Sequence, residues 1–182
     1  ISYFSILSML TRQLINIPVH LGLDHLPNIY CGVAVFVLLP LYIMCSKVNA
    51  REKIGKCVIL LIFLTAFNLN IPNYIWHGMH FPNSLPCRQS FIYIFFLLAM
   101  CYEAVINLKN STNRQLGASL WIAIGLLLIM EELFINSETE YSFKSVYISG
   151  IFILIYGLLM FIHNNAKFKI PVVLMLTFSV SI

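Results

Sequence analysis

The residues best equipped for chemistry sit close together, between Ile71 and Ser90, in the stretch IPNYIWHGMHFPNSLPCRQS. It holds Tyr74, Trp76, His77, His80 and Arg88 among the prolines Pro72, Pro82 and Pro86. A guanidinium such as that of Arg88 grips a phosphate through two parallel hydrogen bonds. The competing reading makes Arg88 an interfacial anchor that snorkels to lipid headgroups. His77 and His80 have the chemistry to donate to a phosphate or to move a proton near neutral pH. Two histidines fall short of a metal site, so no metal is expected. Tyr74 and Trp76 also suit the headgroup level as ordinary belt aromatics.

Other ionisable residues are candidates with plain alternatives. Asp24 and His25 precede an apolar run; Asp24 is a possible base or a solvated loop residue. Glu103 lies inside an apolar run near its end, and an intramembrane carboxylate is a functional candidate. Its closeness to the headgroups favours a structural role. Glu131 and Glu132 are adjacent, so they do not face one direction on a helix. Cys31 and Cys87 fall near the same face, where a disulfide is permitted; cysteine as a small apolar filler is the alternative.

These residues need elements to hold them, and the composition names the kind. The chain has 182 residues, 60% hydrophobic and 10% charged. Soluble domains carry roughly 25% charged residues. That excludes an ordinary water-soluble globule, a disordered chain and a nucleic-acid module. The runs are apolar throughout rather than alternating, which argues against a β-barrel. The fold class expected is all-α, a polytopic transmembrane bundle forming a single domain over 1–182. Spans are expected at about 30–46, 54–71, 91–108, 116–135, 146–162 and, cut short, 170–182. Pro72 is expected to end the second span, leaving 72–90 as an outer loop. Irregular backbone near membrane depth is tolerated only against protein or a wet cavity. With neither an initiator Met nor a signal peptide start, the sequence reads as the middle of a longer protein.

Charge alternates between loops. Lys47, Arg51, Lys53, Lys56, Lys109, Arg114, Lys167 and Lys169 fall on one side, against Arg12, Arg88 and Lys144 on the other, out of 11 basic residues. Positive loops stay cytoplasmic, so 47–53, 109–115 and 163–169 are expected inside. The net charge of +4 then reflects topology. Gly150 and Gly157 lie on one helix face and suit close approach of a neighbouring helix.

From Leu26 to Leu108 the sequence resembles the YfhO family of bacterial multi-pass membrane proteins. The resemblance rests on Pro27-Asn28-Ile29-Tyr30-Cys31-Gly32, on Asn73-Tyr74-Ile75-Trp76-His77-Gly78, and above all on Phe81-Pro82-Asn83-Ser84-Leu85-Pro86-Cys87-Arg88-Gln89-Ser90-Phe91. Cys87 and Gln89 depart from the large residues usual there; the His-Gly pair and the arginine are kept. The resemblance implies a GT-C-type glycosyltransferase of the bacterial cell membrane. Its donor would be a polyprenyl-phosphate-linked sugar, and its acceptor a cell-envelope glycopolymer such as lipoteichoic acid. It also implies a catalytic carboxylate in an early outer loop that nothing in this sequence matches.

Joined to that implication, the residues point to donor-phosphate binding by Arg88 and His77, with His80, Tyr74 and Asp24 as secondary candidates. No cofactor is expected. The alternatives are a lipid or solute transporter or flippase, with these residues along the path, and a non-catalytic scaffold subunit.

Overall fold

The structure is a computed structural model that describes residues 9–15, 17, 27–80, 87–135 and 143–165. Its longer elements are α1 (Val35–Met44), α2 (Ala50–Asn68), α3 (Asn70–Trp76), α4 (Ser90–Ile106), α5 (Asn113–Ile135) and α6 (Phe143–Asn165). No strand occurs among the described residues.

Local sequence sets several of these boundaries. Asn49 caps α2, its side-chain oxygen accepting from the Arg51 backbone N–H at 3.2 Å. Thr112 and Gln115 form a reciprocal capping box: Gln115 N–H donates to Thr112 Oγ1 (3.3 Å), and Thr112 N–H donates to Gln115 Oε1 (2.8 Å). This box satisfies otherwise orphaned donors and starts α5 at Asn113, three residues before the expected span. The first expected span is shortened more strongly. Gly32 has φ +100°, and the helix begins only at Val35. At 10 residues α1 is about 15 Å long, about half a bilayer core.

α5 and α6 are long and apolar enough to cross a membrane; α1 and α4 are apolar but shorter. The expected run 170–182 lies outside the described residues. α4 shows how such a chain packs. Tyr93, Leu97, Met100, Cys101 and Ala104 are buried, while Phe91, Phe95, Leu98, Tyr102 and Ile106 are exposed. Both faces are apolar, one turned to the core and one outward, as suits a lipid surround.

α5 and α6 form the tightest pair. A Cβ on Gly157 would lie 2.8 Å from Leu120 Cδ1, and one on Gly150 would lie 3.1 Å from Leu127 Cδ2. The two glycines therefore seat α6 on α5, the close approach their spacing predicts.

One end of the bundle is tied by polar contacts. Lys53 Nζ donates to Ile43 O (2.9 Å) and to Cys45 O at the end of α1, where a cation suits the helix dipole. Gln115 Nε2 donates to Met44 O (2.9 Å). Asn164 Nδ2 donates to Ser111 O (3.1 Å) and to Asn113 Oδ1 (2.9 Å). Lys56 pairs with Glu52 at 2.7 Å and with Glu103. Glu103 is thus an ion-pair partner, in line with its structural reading. Its cation, 47 residues away, comes from α2.

Candidate functional site

The other end carries His77, His80 and Arg88. α2 stops at Leu69, whose backbone is extended (φ −106°, ψ 136°), and α3 starts at the next residue. The break therefore precedes Pro72 by three residues. Pro72 sits in the first turn of α3, where a missing N–H breaks no helical bond. The expected outer loop 72–90 accordingly begins as a helix.

α3 does not continue the line of α2. Along a straight helix Phe63 and Trp76 would be about 20 Å apart, yet their rings lie 4.9 Å apart. α3 therefore folds back beside α2. Phe67 continues the aromatic contact to Phe63 (6.4 Å) and to Tyr93 on α4 (5.7 Å, edge-on). Trp76 is half exposed, but its ring is a packing element of this hairpin.

His77 closes α3. Met79 N–H donates to Tyr74 O (3.0 Å) and Gly78 N–H to Ile75 O (3.1 Å), the paired bonds of a Schellman stop. Gly78 supplies the left-handed residue, φ +68°, which explains the glycine of the His-Gly pair. The His77 ring is held by Nδ1, which lies 2.8 Å from Asn73 O. A carbonyl only accepts, so Nδ1 carries the proton, and in the neutral ring Nε2 presents a lone pair. Nε2 is buried without a hydrogen-bond partner, as is Asn73 Oδ1 one turn earlier. Neutral His77 therefore accepts a hydrogen bond or a proton at Nε2; it donates to an anion only as imidazolium.

Arg88 lies in the turn Cys87–Gln89 that opens α4. It is exposed and makes no hydrogen bond or ion pair among the described residues, so its guanidinium is available. Cys87 beside it is buried 4.0 Å from Phe67 O, and burial pushes its thiol up to about 11. Cys31 and Cys87 are both free thiols. Among the described residues, Met79 (φ 62°) and Cys87 (φ 60°) are the non-glycine residues in the left-handed region. They flank residues 81–86, and strained backbone of this kind concentrates at functional sites.

Of the residues singled out from sequence, His77 and Tyr74 are half-buried on or next to α3, and His80 is exposed beyond it. Arg88 stands on the α4 side. α2 packs against both α3 and α4, but no hydrogen bond joins Arg88 to either histidine among the described residues. Asp24 lies outside the described residues.

Two buried glutamines escaped the sequence reading. Gln13 Nε2 donates to Gly32 O (3.2 Å) and lies 3.1 Å from Cys31 Sγ, leaving Oε1 without a partner. Gln89 is 5% exposed, with Nε2 unpartnered. Its one sequence signal was the departure from the large residue usual at that position. Arg12, next to Gln13, is buried and donates to Asn28 Oδ1. Its signal was a charge inside an apolar stretch.

Nothing among curated proteins or solved structures matches the chain. The family model described as bacterial membrane protein YfhO matches residues 2–182, well beyond the segment from Leu26 to Leu108 that carries the visible motifs. The chain belongs to the YfhO family of bacterial membrane proteins.

Proposed function

We propose that this chain is part of a glycosyltransferase-like membrane protein that moves a sugar from a polyprenyl-phosphate donor to a cell-envelope glycopolymer, such as lipoteichoic acid, on the outer face. In this reading the basic loops 47–53, 109–115 and 163–169 are cytoplasmic, and the α2–α3 break and the start of α4 face outward. The observation that carries the reading is the available Arg88 guanidinium at the N-terminal end of α4, with α2 packed against both α4 and the fold-back element whose His77 Nε2 is buried and unpartnered. Arg88 holds the donor phosphate and stabilises charge on the leaving group. His77, after taking a proton from water at Nε2, donates as imidazolium to the same phosphate. His80, Tyr74 and Asp24 are secondary candidates for contacts to the donor or acceptor.

The test is Arg88→Ala in the intact protein, read as envelope glycosylation in a deletion strain. Wild type restores glycosylation; the variant inserts normally and restores none. Full activity of the variant refutes the reading.

A second reading, transport or lipid flipping, draws on the broken helix at Leu69 and the Lys56–Glu103 pair. Transporters combine such features near the midplane, whereas this pair joins the basic end of α2. Lipid flipping by the purified protein in vesicles without any sugar transfer would favour it.

A further inference from the structure

A cavity of about 340 Å³ runs between α1, α4 and α5. The α1 wall extends from Val35 to Met44, about 14 Å at the helical rise. Dividing volume by length leaves a mean cross-section of about 24 Å², a channel roughly 5.5 Å wide. Carbon atoms in contact stand about 3.5–4.0 Å apart, so the cavity admits one file of hydrocarbon and not two abreast. An extended chain advances about 1.25 Å per carbon, so about eleven carbons fill the length. Ile43 and Ile122 in its walls are exposed. The cavity therefore opens sideways onto the outward apolar surface that suits lipid.

The Val35 end differs from the rest. Gln13 belongs to the wall and is 3% exposed. Its Nε2 donates to Gly32 O (3.2 Å), the same carbonyl that receives the Val35 N–H (3.4 Å). Gln13 thus sits beside the first turn of α1. A carbonyl only accepts, which fixes the orientation of the amide and leaves Oε1 as an acceptor. Oε1 is buried and has no hydrogen-bond partner, so it lacks a donor that a ligand would supply.

Depth selects the kind of donor. Met44 O and Cys45 O are tied to Gln115 and Lys53 at the basic end. Val35 lies about 14 Å further in, near the middle of a hydrocarbon core about 30 Å thick. An ionised head is costly at that depth. Among the described residues that line the cavity, none is an acid, lysine, arginine or histidine to pair with one. A hydroxyl carries no charge, and in hydrocarbon both it and Oε1 lose by staying unpaired. A one-chain apolar channel with a single unanswered acceptor at its deep end describes a neutral alcohol on a hydrocarbon tail.

We propose that this cavity binds the chain of an uncharged lipid alcohol drawn from the bilayer, its hydroxyl donating to Gln13 Oε1. The hydrocarbon then lies along α1 toward Met44. Neither Arg88 nor His77 lines the cavity, so the site is distinct from theirs and stands whether or not the transferase reading holds.

The test uses the intact protein in nanodiscs and dodecan-1-ol carrying a diazirine at its methyl end. Photolysis should label peptides containing Ile43 and Met44. Unlabelled dodecan-1-ol, dodecane and dodecyl phosphate then compete at equal mole fraction in the bilayer. Dodecan-1-ol should compete roughly fivefold better than dodecane, the worth of one neutral hydrogen bond, and dodecyl phosphate should compete worst. Gln13→Leu should bring dodecan-1-ol down to the level of dodecane. The wild-type ranking keeps the test decisive if that variant misfolds. Equal competition by dodecan-1-ol and dodecane in wild type overturns the proposal. So does competition by dodecyl phosphate as strong as that of the alcohol, or labelling confined to the outward face at Phe91 and Phe95.

Discussion

Replacing Gly157 by alanine measures how closely α5 and α6 are fitted. The new Cβ would stand 2.8 Å from Leu120 Cδ1, 3.1 Å from Cδ2 and 3.4 Å from Cγ. Rotating one methyl away does not by itself relieve the contact, because the second methyl at 3.1 Å is also tight and Cγ at 3.4 Å is already in van der Waals contact. Overpacking of this kind costs about 1–3 kcal/mol. Against it stands the gain of about 1 kcal/mol for alanine over glycine within a helix. Gly125→Ala isolates the two terms, since nothing lies within 4 Å of a Cβ there. The propensity gain cancels between the variants, and the difference is the contact alone. Gly157→Ala should therefore be less stable than Gly125→Ala by about 1–2 kcal/mol, the lower range because Leu120 is the flexible partner. That is roughly a tenfold shift in the unfolding constant, readable by steric trapping or by denaturation in mixed micelles. Leu120→Ala in the Gly157→Ala background should show positive coupling, because the clash is removed. Equal stability of the two glycine variants, or absence of that coupling, refutes the packing argument.

Two further outcomes follow from the ends of the bundle. Burial puts the Cys87 thiol at about 11, and the thiolate is the reactive form. Maleimide labelling of Cys87 should thus be slow near neutral pH, accelerate as pH rises toward that value, and become fast on denaturation. Rapid labelling of the folded protein near neutral pH contradicts the burial. Lys56→Met leaves Glu103 without its cation in a partly buried site, their side chains being 18% and 31% exposed. It should cost about 1–2 kcal/mol after allowing for that exposure. Adding Glu103→Gln should recover part of the loss in the same melt, and strictly additive losses would show that the pair is not coupled.

The parts of the fold that depend on local composition were legible from sequence. The apolar runs located α4, α5 and α6, and the glycine pair at 150 and 157 located their closest packing. The basic residues Lys53 and Lys56 do gather at one end. What depends on tertiary contact was not legible. Pro72 was the visible helix breaker, yet the break is at Leu69, which carries no breaking signal. The fold-back is held by Trp76 on Phe63, a contact no periodicity encodes, and proline is tolerated in the first turn it creates. The first span misled because apolar residues from Tyr30 onward have the composition of a helix, whereas Gly32 adopts φ +100°. At the site, residue types were readable but their state was not. That His77 holds its proton on Nδ1 depends on Asn73 O, and that Gln89 is buried without a partner depends on how α4 packs.

The distribution of unpartnered polar atoms separates the two ends in physical terms. At the basic end Lys56, Glu52, Glu103, Thr112, Gln115 and Asn164 answer one another. Tyr42 Oη and His163 Nδ1 are the exceptions on that side among the described residues. At the α2–α3–α4 end, Asn68 Oδ1, Asn73 Oδ1, His77 Nε2 and Gln89 Nε2 are all buried and unanswered. Each such atom costs about 1–3 kcal/mol, and a bilayer offers no water to share the burden. Packing alone would favour apolar residues at these four positions. Three of the atoms are acceptors when His77 is neutral, and one is a donor.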